Sequence, residues 1–370
     1  MKSRVGLLIV VVTLSSVFLA CCHGGGGSNE GVSTVVSSSP GFAAGDIAGT
    51  WGLVNADFVS PTSGSMDVGG NGSVTGGSYT EAGVGSGTFT GGTLSVNTGG
   101  AVSGRATLSD GRTLTLSDGQ MSLDKDLFVY AAVDSLNAAQ SAVLVRVSGA
   151  YATADLQGTW TWGSSTHYGT ILVDSSGFVT SGTYTHVGVG SGLITGGLFT
   201  ISAQGSITGS FTTDEPVTYT VQVPGASMNS DKSFICSVFT YPPSGNLGVI
   251  AVKQGGSFTP GTDITGAWMF IMSASQGNDV LYGSMNIDNA GTITGGSVTE
   301  IGVGSAAFVG GVLSLSTGGA VTGSALTSSG KTYTILGQSG QMNVGKTVLM
   351  FVSEDSSNGK TGVTAMVKMP

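Results

Sequence analysis

Residues that could ligate a metal or attack a substrate are scarce in this chain. It contains 3 cysteines and 3 histidines in 370 residues. Cys21, Cys22 and His23 are consecutive and are followed by four glycines. A zinc site needs about four ligands, and covalent haem attachment needs two cysteines separated by two residues. This stretch offers neither, so it predicts no metal site, and its meaning depends on the residues that precede it.

The other candidates lie further along the chain. His167 and His186 both belong to the second of three sequence repeats described below, and neither recurs in the other two. A catalytic triad or metal site common to all repeats is therefore excluded. Cys236 lies in the apolar run SFICSVF, which predicts a buried, unreactive thiol. We expect no enzyme activity, no catalytic residue, no metal ligand and no cofactor. The alternative is an enzyme whose catalytic residues are peculiar to the second repeat, with His167 and His186 as the candidates.

One position beside a repeated glycine-rich string is a candidate ligand contact. His186 lies just before Gly-Val-Gly-Ser, and Glu81 and Glu300 occupy the same place in the other repeats. The string lacks the lysine of a phosphate-binding loop. The sequence leaves open whether these three residues face a ligand or are ordinary polar loop residues.

The first 20 residues have the layout of a secretory signal peptide. Lys2 and Arg4 supply a positive start, and residues 5–12 are apolar. Leu19 and Ala20 give the large-then-small step that precedes a cleavage point. This pattern predicts export of the rest of the chain.

The end of this segment, Phe18-Leu19-Ala20-Cys21, resembles the lipobox of bacterial lipoproteins. The resemblance implies cleavage before Cys21, a diacylglycerol on its sulfur, and so a membrane partner held through the N-terminal lipid. A register one residue later makes Cys22 the alternative lipidation site. The expected location is the cell envelope, as an outer-membrane lipoprotein that is periplasmic or surface-exposed. Residues 1–20 would be the signal peptide, and residues 21–45 a flexible Gly/Ser-rich tether.

Three copies of one unit make up the remainder. They are aligned by Asp46-Ile47-Ala48-Gly49-Thr50-Trp51, Asp155-Leu156-Gln157-Gly158-Thr159-Trp160 and Asp263-Ile264-Thr265-Gly266-Ala267-Trp268. The alignment predicts domains at residues 46–150, 151–258 and 259–370. Since each copy is domain-sized, we expect three independent domains in a row rather than a stacked solenoid.

Each unit has the pattern of short β-strands. The 64 glycines supply the positive φ angles that tight turns need. Apolar and polar residues alternate in runs such as residues 217–223, and Gly/Asp/Asn/Ser clusters separate these runs. We expect about eight to ten strands per unit with no crossover helices. The predicted fold is all-β, with three tandem antiparallel meander β-barrels; a two-sheet β-sandwich per unit is the alternative.

A break in the alternation recurs in every unit. Val74 and Tyr79 are five positions apart, which puts them on opposite faces of a regular strand, and Gly76 and Gly77 lie between them. We expect a β-bulge or tight bend there that restores a single inward face.

The units resemble the calycin barrels, the lipocalin and avidin group, at two points. The first is the Gly-x-Trp of the opening strand, and the second is a basic residue in the final strand. In that family the basic side chain packs over the tryptophan and closes the barrel floor, a cation–π contact. The resemblance implies the pairs Trp51 with Arg146, Trp160 with Lys253 and Trp268 with Lys368.

Net charge and the distribution of basic residues limit the classes of partner that this chain is expected to bind. The net charge is −9, and no cluster of Lys and Arg suggests a nucleic-acid partner. The sequence favours a membrane-anchored lipoprotein with a non-catalytic binding or scaffold role. One alternative is a surface adhesin or matrix protein that uses three repeats for avidity. Another is a lipocalin-type carrier of a small apolar ligand; the partner is a protein or such a ligand.

Overall fold

The computed structural model describes residues 41–55, 61–136, 138–242, 245–275 and 279–370, which belong to one compact unit. Within these ranges the chain forms 25 β-strands and two short 3₁₀ helices. The strands build three antiparallel meander barrels, so the predicted fold class is confirmed and the sandwich alternative is wrong.

Barrel 1 follows the 3₁₀ helix Ala44–Ile47. Its strands are β1 (Gly49–Asn55), β2 (Thr62–Val68), β3 (Val74–Glu81), β4 (Gly85–Val96), β5 (Val102–Leu108), β6 (Thr113–Met121), β7 (Leu127–Asp134) and β8 (Ala139–Arg146). Consecutive strands pair, and β8 pairs with β1 to close the barrel.

Barrel 2 repeats this order after the 3₁₀ helix Thr153–Leu156. Its strands are β9 (Gly158–Gly163), β10 (His167–Val173), β11 (Phe178–His186), β12 (Gly190–Ile201), β13 (Ile207–Thr213), β14 (Thr218–Met228), β15 (Phe234–Tyr241) and β16 (Gly245–Lys253). Pairing of β16 with β9 closes it.

Barrel 3 differs in one strand. Its strands are β17 (Gly266–Ala274), β18 (Val280–Ile287), β19 (Ile293–Glu300), β20 (Gly304–Leu315), β21 (Ala320–Thr327), β22 (Thr332–Ile335), β23 (Gly340–Met342), β24 (Val348–Asp355) and β25 (Thr361–Lys368). The short β22 and β23 both lie between β21 and β24, and so share the place of the sixth strand.

The predicted break in alternation is a β-bulge. Val68 pairs with Val74 while the preceding Asp67 pairs with Gly76, so Thr75 is the extra residue. Val74 and Tyr79 are both 5% exposed, which shows that the bulge turns them to the same interior. Equivalent register shifts occur between β10 and β11 and between β18 and β19.

Each barrel interior is packed with apolar side chains around the first-strand tryptophan. We call the end of a barrel that holds this tryptophan its floor and the opposite end its mouth. The chain enters and leaves every barrel at the floor, because the first strand starts there and the eighth strand ends there.

A fourth apolar core lies between the barrels rather than inside them. Strands β7, β8, β15, β16, β24 and β25 are buried on both faces over most of their length. Their outward side chains join those of β1 and β17 in one cluster. Its members include Val54, Val129 and Val143 of barrel 1, Phe234 and Ile250 of barrel 2, and Ile271, Met350 and Val367 of barrel 3.

The three barrels form a closed ring around this core. Strand β1 of barrel 1 lies against β14 and β15 of barrel 2, β9 of barrel 2 against β24 of barrel 3, and β17 of barrel 3 against β7 of barrel 1. Each junction therefore uses the first strand of one barrel and the seventh strand of the next. The expectation of independent domains in a row is wrong, because the outward faces of these strands are apolar and need cover.

Polar contacts show that the barrels are parallel within the ring. At the floor, three side-chain hydrogen bonds join the barrels, and we call them the floor junctions. Ser230 of barrel 2 bonds to Asp126 of barrel 1, Asn343 of barrel 3 to Ser233 of barrel 2, and Thr347 of barrel 3 to Asp124 of barrel 1. At the mouth, Ser141 contacts Ser273, and the Thr361 hydroxyl donates to the carbonyl oxygen of Ser165 at 2.5 Å. All floors thus lie at one end of the ring and all mouths at the other.

Candidate functional site

The floor of each barrel is built around its first-strand tryptophan. Trp51, Trp160 and Trp268 are 0%, 2% and 0% exposed. Each indole N–H donates to the carbonyl oxygen four residues earlier, at 2.9, 2.8 and 2.8 Å. This bond ties the chain entering the barrel to the start of the first strand.

A basic side chain from the eighth strand covers each tryptophan. The charged group of Arg146 lies 4.4 Å from the Trp51 ring centroid, that of Lys253 5.3 Å from Trp160 and that of Lys368 5.4 Å from Trp268. In each case the two residues are direct partners in the strand register. The structure therefore brings together the two residues of each pair that the family resemblance implied, one pair in each barrel.

These cations also satisfy backbone oxygens at the floor. Arg146 donates to the carbonyl oxygens of Asp46, Ala48 and Lys125. Lys253 and Lys368 each donate one 2.9 Å bond, to the carbonyl oxygens of Asp155 and Asp263. Burial lowers the pKa of all three basic groups. All three basic groups thus donate to backbone oxygens of their own barrel.

A second floor layer repeats in the three barrels and was not assigned from the sequence. Lys125, Lys232 and Lys346 have φ of 62°, 62° and 60°, in the left-handed region. They pair with Asp46, Asp155 and Asp263 at 2.7, 2.8 and 2.8 Å, and lie over the rings of Phe42, Tyr151 and Phe258. The lysines recur four residues after Met121, Met228 and Met342, which was the available signal.

The aromatic residues of this layer define where each barrel begins. Phe42, within the expected tether, is 5% exposed and packs in the core of barrel 1. Phe258, the last residue of the expected second domain, packs in the core of barrel 3. Each barrel therefore recruits an aromatic residue that precedes its first strand.

The mouths of barrels 1 and 3 are closed by ion clusters. Arg112 contacts Glu81 at 2.6 Å and Asp110 at 2.7 Å. Lys331 contacts Glu300 at 2.9 Å and Asp355 at 3.5 Å. The hydrogen bond with Glu81 is the main cause of the raised pKa of Arg112. Glu81 and Glu300, expected as candidate loop contacts, are thus held by cations of their own barrels.

The mouth of barrel 2 holds imidazoles instead. His167 and His186 are register partners on β10 and β11, with ring centroids 4.0 Å apart and planes inclined by 26°. His167 is 0% exposed. Burial, with a smaller contribution from His186, lowers the pKa of His167 to about 3. A covered, neutral His167 is not placed to exchange protons with a substrate at neutral pH.

Cys236 lies in the core between the barrels. Its thiol contacts the carbonyl oxygen of Gly52 at 3.9 Å, and burial raises its pKa to about 12. The thiol therefore stays protonated and covered. Cys21, Cys22 and His23 lie outside the described residues.

The interiors of the three barrels have little empty volume for a ligand. Their cavities measure about 30, 50 and 30 Å³ in barrels 1, 2 and 3. Drug-sized ligands occupy pockets of about 300–1,000 Å³. A larger cleft of about 470 Å³ lies between barrels 1 and 2, lined by residues that include Thr50, Ser65, Ser148, Gln204 and Ser206.

The outer surface carries a repeated feature at the mouth end. The hairpin tips between β3 and β4, β11 and β12, and β19 and β20 each contain Gly-Val-Gly-Ser. Their valines, Val84, Val189 and Val303, are 66%, 70% and 73% exposed. Among the described residues no group of three or more His, Cys, Asp or Glu is arranged to hold a metal ion. No helix in the described ranges is long and apolar enough to span a membrane.

The fold and these barrel ends define the class: an all-β chain of three tandem antiparallel meander barrels. No protein-family profile and no curated protein matches the chain. Among solved structures, it is similar to transferrin-binding protein B of Haemophilus parasuis, at 10% identity and TM-score 0.25, over 87% of this chain and 75% of that one. It is also similar to transferrin-binding protein B of Neisseria meningitidis, at 9% identity and TM-score 0.25, over 87% of this chain and 76% of that one.

A further similarity is to the agglutinin of Burkholderia oklahomensis, at 11% identity and TM-score 0.14, over 90% of this chain and 99% of that one. These scores describe a loose likeness in strand arrangement, and no function is transferred from them.

Proposed function

We propose that the chain is a lipoprotein of the bacterial cell envelope that presents a rigid ring of filled β-barrels to a protein partner, without catalysis. The small interior cavities argue against carriage of a ligand inside the barrels at neutral pH. Recognition would therefore occur on the outer surface.

The three valine tips are the observation that carries this proposal. The tip glycines have a conformational role, since Gly83, Gly188 and Gly302 have φ of 79°, 77° and 82°. The tip serines also have a structural role, because the hydroxyl of each shares a hydrogen bond with a threonine on the adjoining strand. The valines are exposed in all three copies, so packing within the described part of the chain does not explain them. A shared contact with a partner explains them.

The ring gives the tips a common direction. All three lie at the mouth end of parallel barrels. A single valine contributes about 1.5–3 kcal/mol when fully buried, which is too little for stable binding. Three tips held on one rigid body bind together with an effective concentration that raises the overall affinity.

Site-specific photo-crosslinking in the producing cells tests this proposal. A photoreactive amino acid replaces Val84, Val189 or Val303, one position at a time. Matched controls replace Thr90 and Thr195, which are exposed on the barrel walls. We expect the same partner adduct from all three tips and none from the walls. Equal labelling of tips and walls, or no adduct at any tip, would overturn it.

The anchor is tested separately. Palmitate labelling is expected in the wild-type chain and in Cys22→Ser, and is expected to be lost in Cys21→Ser. Label that persists in Cys21→Ser but not in Cys22→Ser would move the lipid to Cys22. No label in the wild type would reject lipidation. Protease treatment of intact cells would distinguish a surface adhesin, which is cleaved, from a periplasmic protein, which is protected.

A further inference from the structure

Barrel 2 departs from its sister barrels at the mouth in several positions at once. Thr62 pairs with Glu81 in barrel 1, and Leu281 pairs with Glu300 in barrel 3; the equivalent pair in barrel 2 is His167 with His186. Barrel 2 has Val217 at the position of the mouth cations Arg112 and Lys331. It has Tyr241, the last residue of its seventh strand, at the position of Asp134 and Asp355. The mouth of barrel 2 thus has imidazole and aromatic rings where the mouths of barrels 1 and 3 have ion clusters.

The imidazoles are part of a continuous aromatic stack. His167 meets Tyr219 and Tyr241 edge-on, with centroids 5.9 and 5.5 Å away. The two tyrosine rings stack on each other at 5.3 Å, and Tyr219 stacks on Phe211 at 4.8 Å. His167 therefore wedges between His186 and the aromatic residues that fill the barrel.

Protonated His167 would have two N–H donors, and only one of them has an acceptor among the described residues. Its Nδ1 lies 2.8 Å from the Thr166 hydroxyl, and its buried Nε2 has no hydrogen-bond partner among the described residues. Lys360 of barrel 3, near the same turn, is paired with Asp279. The titratable groups on the elements packed around the imidazoles are Tyr184, His186, Asp214, Glu215, Tyr219 and Tyr241.

The interior of barrel 2 contains a small cavity with aromatic walls and two polar groups that lack hydrogen-bond partners among the described residues. Trp162, Phe211 and Ser237 line the cavity of about 50 Å³ in barrel 2. The indole nitrogen of Trp162 and the hydroxyl of Ser237 are buried and lack hydrogen-bond partners among the described residues. His167 does not line this cavity; it contacts Tyr219, which packs against Trp162 and Phe211. Displacement of His167 would free the mouth-side face of Tyr219, so that this ring could move and the cavity could open towards the mouth.

We propose that barrel 2 is an acid-opened compartment, in which protonation of the His167–His186 pair unseats His167 and admits an apolar aromatic ligand. Two imidazolium rings at a 4.0 Å spacing repel each other. Burial lowers the pKa of His186, and the negative charge of Glu215 opposes this shift only in part. His167 has its ring against other rings and gains no such compensation. Moving His167 into water hydrates the new charge.

The size of the pH response follows from the pKa of His167 in the closed mouth and its pKa in the open mouth, where the ring is in water. His167 has a pKa of about 3 when closed, against about 6.5 in water. Between about pH 8 and pH 5 the ratio of open to closed mouths therefore rises about 30-fold. While the open form is a minority, the apparent affinity for a ligand of the open form rises by the same factor.

Dye binding to the full chain tests the proposal. The probe is N-phenyl-1-naphthylamine, an uncharged aromatic dye, titrated by fluorescence at about pH 8 and pH 5, where most carboxylates remain ionised. We expect the apparent affinity of the wild type to rise about 30-fold. His167→Leu, which carries the residue of barrel 3 at this position, should lose that rise. An unchanged wild-type affinity, or an unchanged rise in His167→Leu, overturns the proposal.

Hydrogen exchange in the wild type provides a test that does not depend on a variant. After correction for intrinsic rates, backbone amides at residues 166–168 should exchange about 30-fold faster at the lower pH. The equivalent mouth amides of barrels 1 and 3 serve as internal controls and should stay protected. Equal acceleration in all three mouths would mean general loosening and would overturn a mechanism specific to barrel 2.

Discussion

Asp124 of barrel 1 and Thr347 of barrel 3 are 223 residues apart in the chain, and the Thr347 hydroxyl donates a 2.5 Å hydrogen bond to the Asp124 carboxylate. This contact joins the last barrel to the first. The other two floor junctions join consecutive barrels. Because all three junctions are present, the ring does not depend on which barrel comes first in the chain.

A circular permutant should therefore fold. New termini are placed at Gly149, between barrels 1 and 2, and a short flexible linker joins Pro370 to Gly41. We expect cooperative thermal unfolding and a far-UV circular dichroism spectrum like that of the wild type, since every junction is retained. A permutant that unfolds in separate steps, one for each barrel, would contradict a cooperative ring.

Loss of the closing contact should weaken the ring. Thr347→Val removes the hydroxyl that reaches Asp124, and should lower the free energy of unfolding by about 1–2 kcal/mol. The matched control is Thr90→Val, which alters an exposed hydroxyl and should change stability by less than about 0.5 kcal/mol. Urea denaturation of both variants gives the comparison; equal midpoints would argue against a stabilising role for the contact.

Gly52 marks the close approach of barrels 1 and 2. A Cβ at this position would lie 2.2 Å from both Cβ and Oγ of Ser227. Gly52→Ala should therefore cost about 1–3 kcal/mol, and Ser227→Gly should restore part of the loss. Gly91→Ala is the control, because a Cβ there meets nothing within 4 Å. Thermal unfolding of the single and double variants measures the rescue, and its absence would count against this contact.

Replacement of a floor cation should show its structural role. Arg146→Met removes the donor to three backbone oxygens and leaves Trp51 without its cation, with an expected cost of about 2–4 kcal/mol. Arg146→Lys should cost less, because barrels 2 and 3 use lysine at this position. Chemical denaturation ranks the two variants; a larger loss in the lysine variant would contradict the assignment.

Acid should reduce stability through His167. Its folded-state pKa, about 3, is below the value of about 6.5 in the unfolded chain. The neutral form is thus favoured by folding, and its stability contribution is complete above about pH 6.5 and is lost as the pH falls towards 3. By about pH 5 the loss is about 2 kcal/mol. Urea midpoints of wild type and His167→Leu at pH 8 and 5 test this, and parallel losses would disprove it.

The barrel fold followed from local patterns. Alternating strands, glycine turns and the odd spacing of Val74 and Tyr79 are local signals, and they predicted meander barrels and a bulge. Trp51 and Arg146 are far apart in the sequence, and the family resemblance paired them because the first and eighth strands of a closed barrel are neighbours.

The ring was missed because it depends on surface pairing between distant strands. A signal was present: LFVYAAV, LGVIAV and VLMFV are continuous apolar runs rather than alternating ones. Such runs are typical of strands buried on both faces. The stacking of His167 on His186 was also unpredicted, because their register depends on a bulge further along the same strand pair.

The location of chain entry at the floor and of the valine tips at the mouth has a mechanical consequence. A pull between Gly41 and Val84 acts along β1, which is held by antiparallel ladders to β2 and β8. Such a load would strain many backbone hydrogen bonds together instead of peeling them one by one. The geometry is suited to bearing tension between Gly41 at the floor of barrel 1 and Val84 at its mouth.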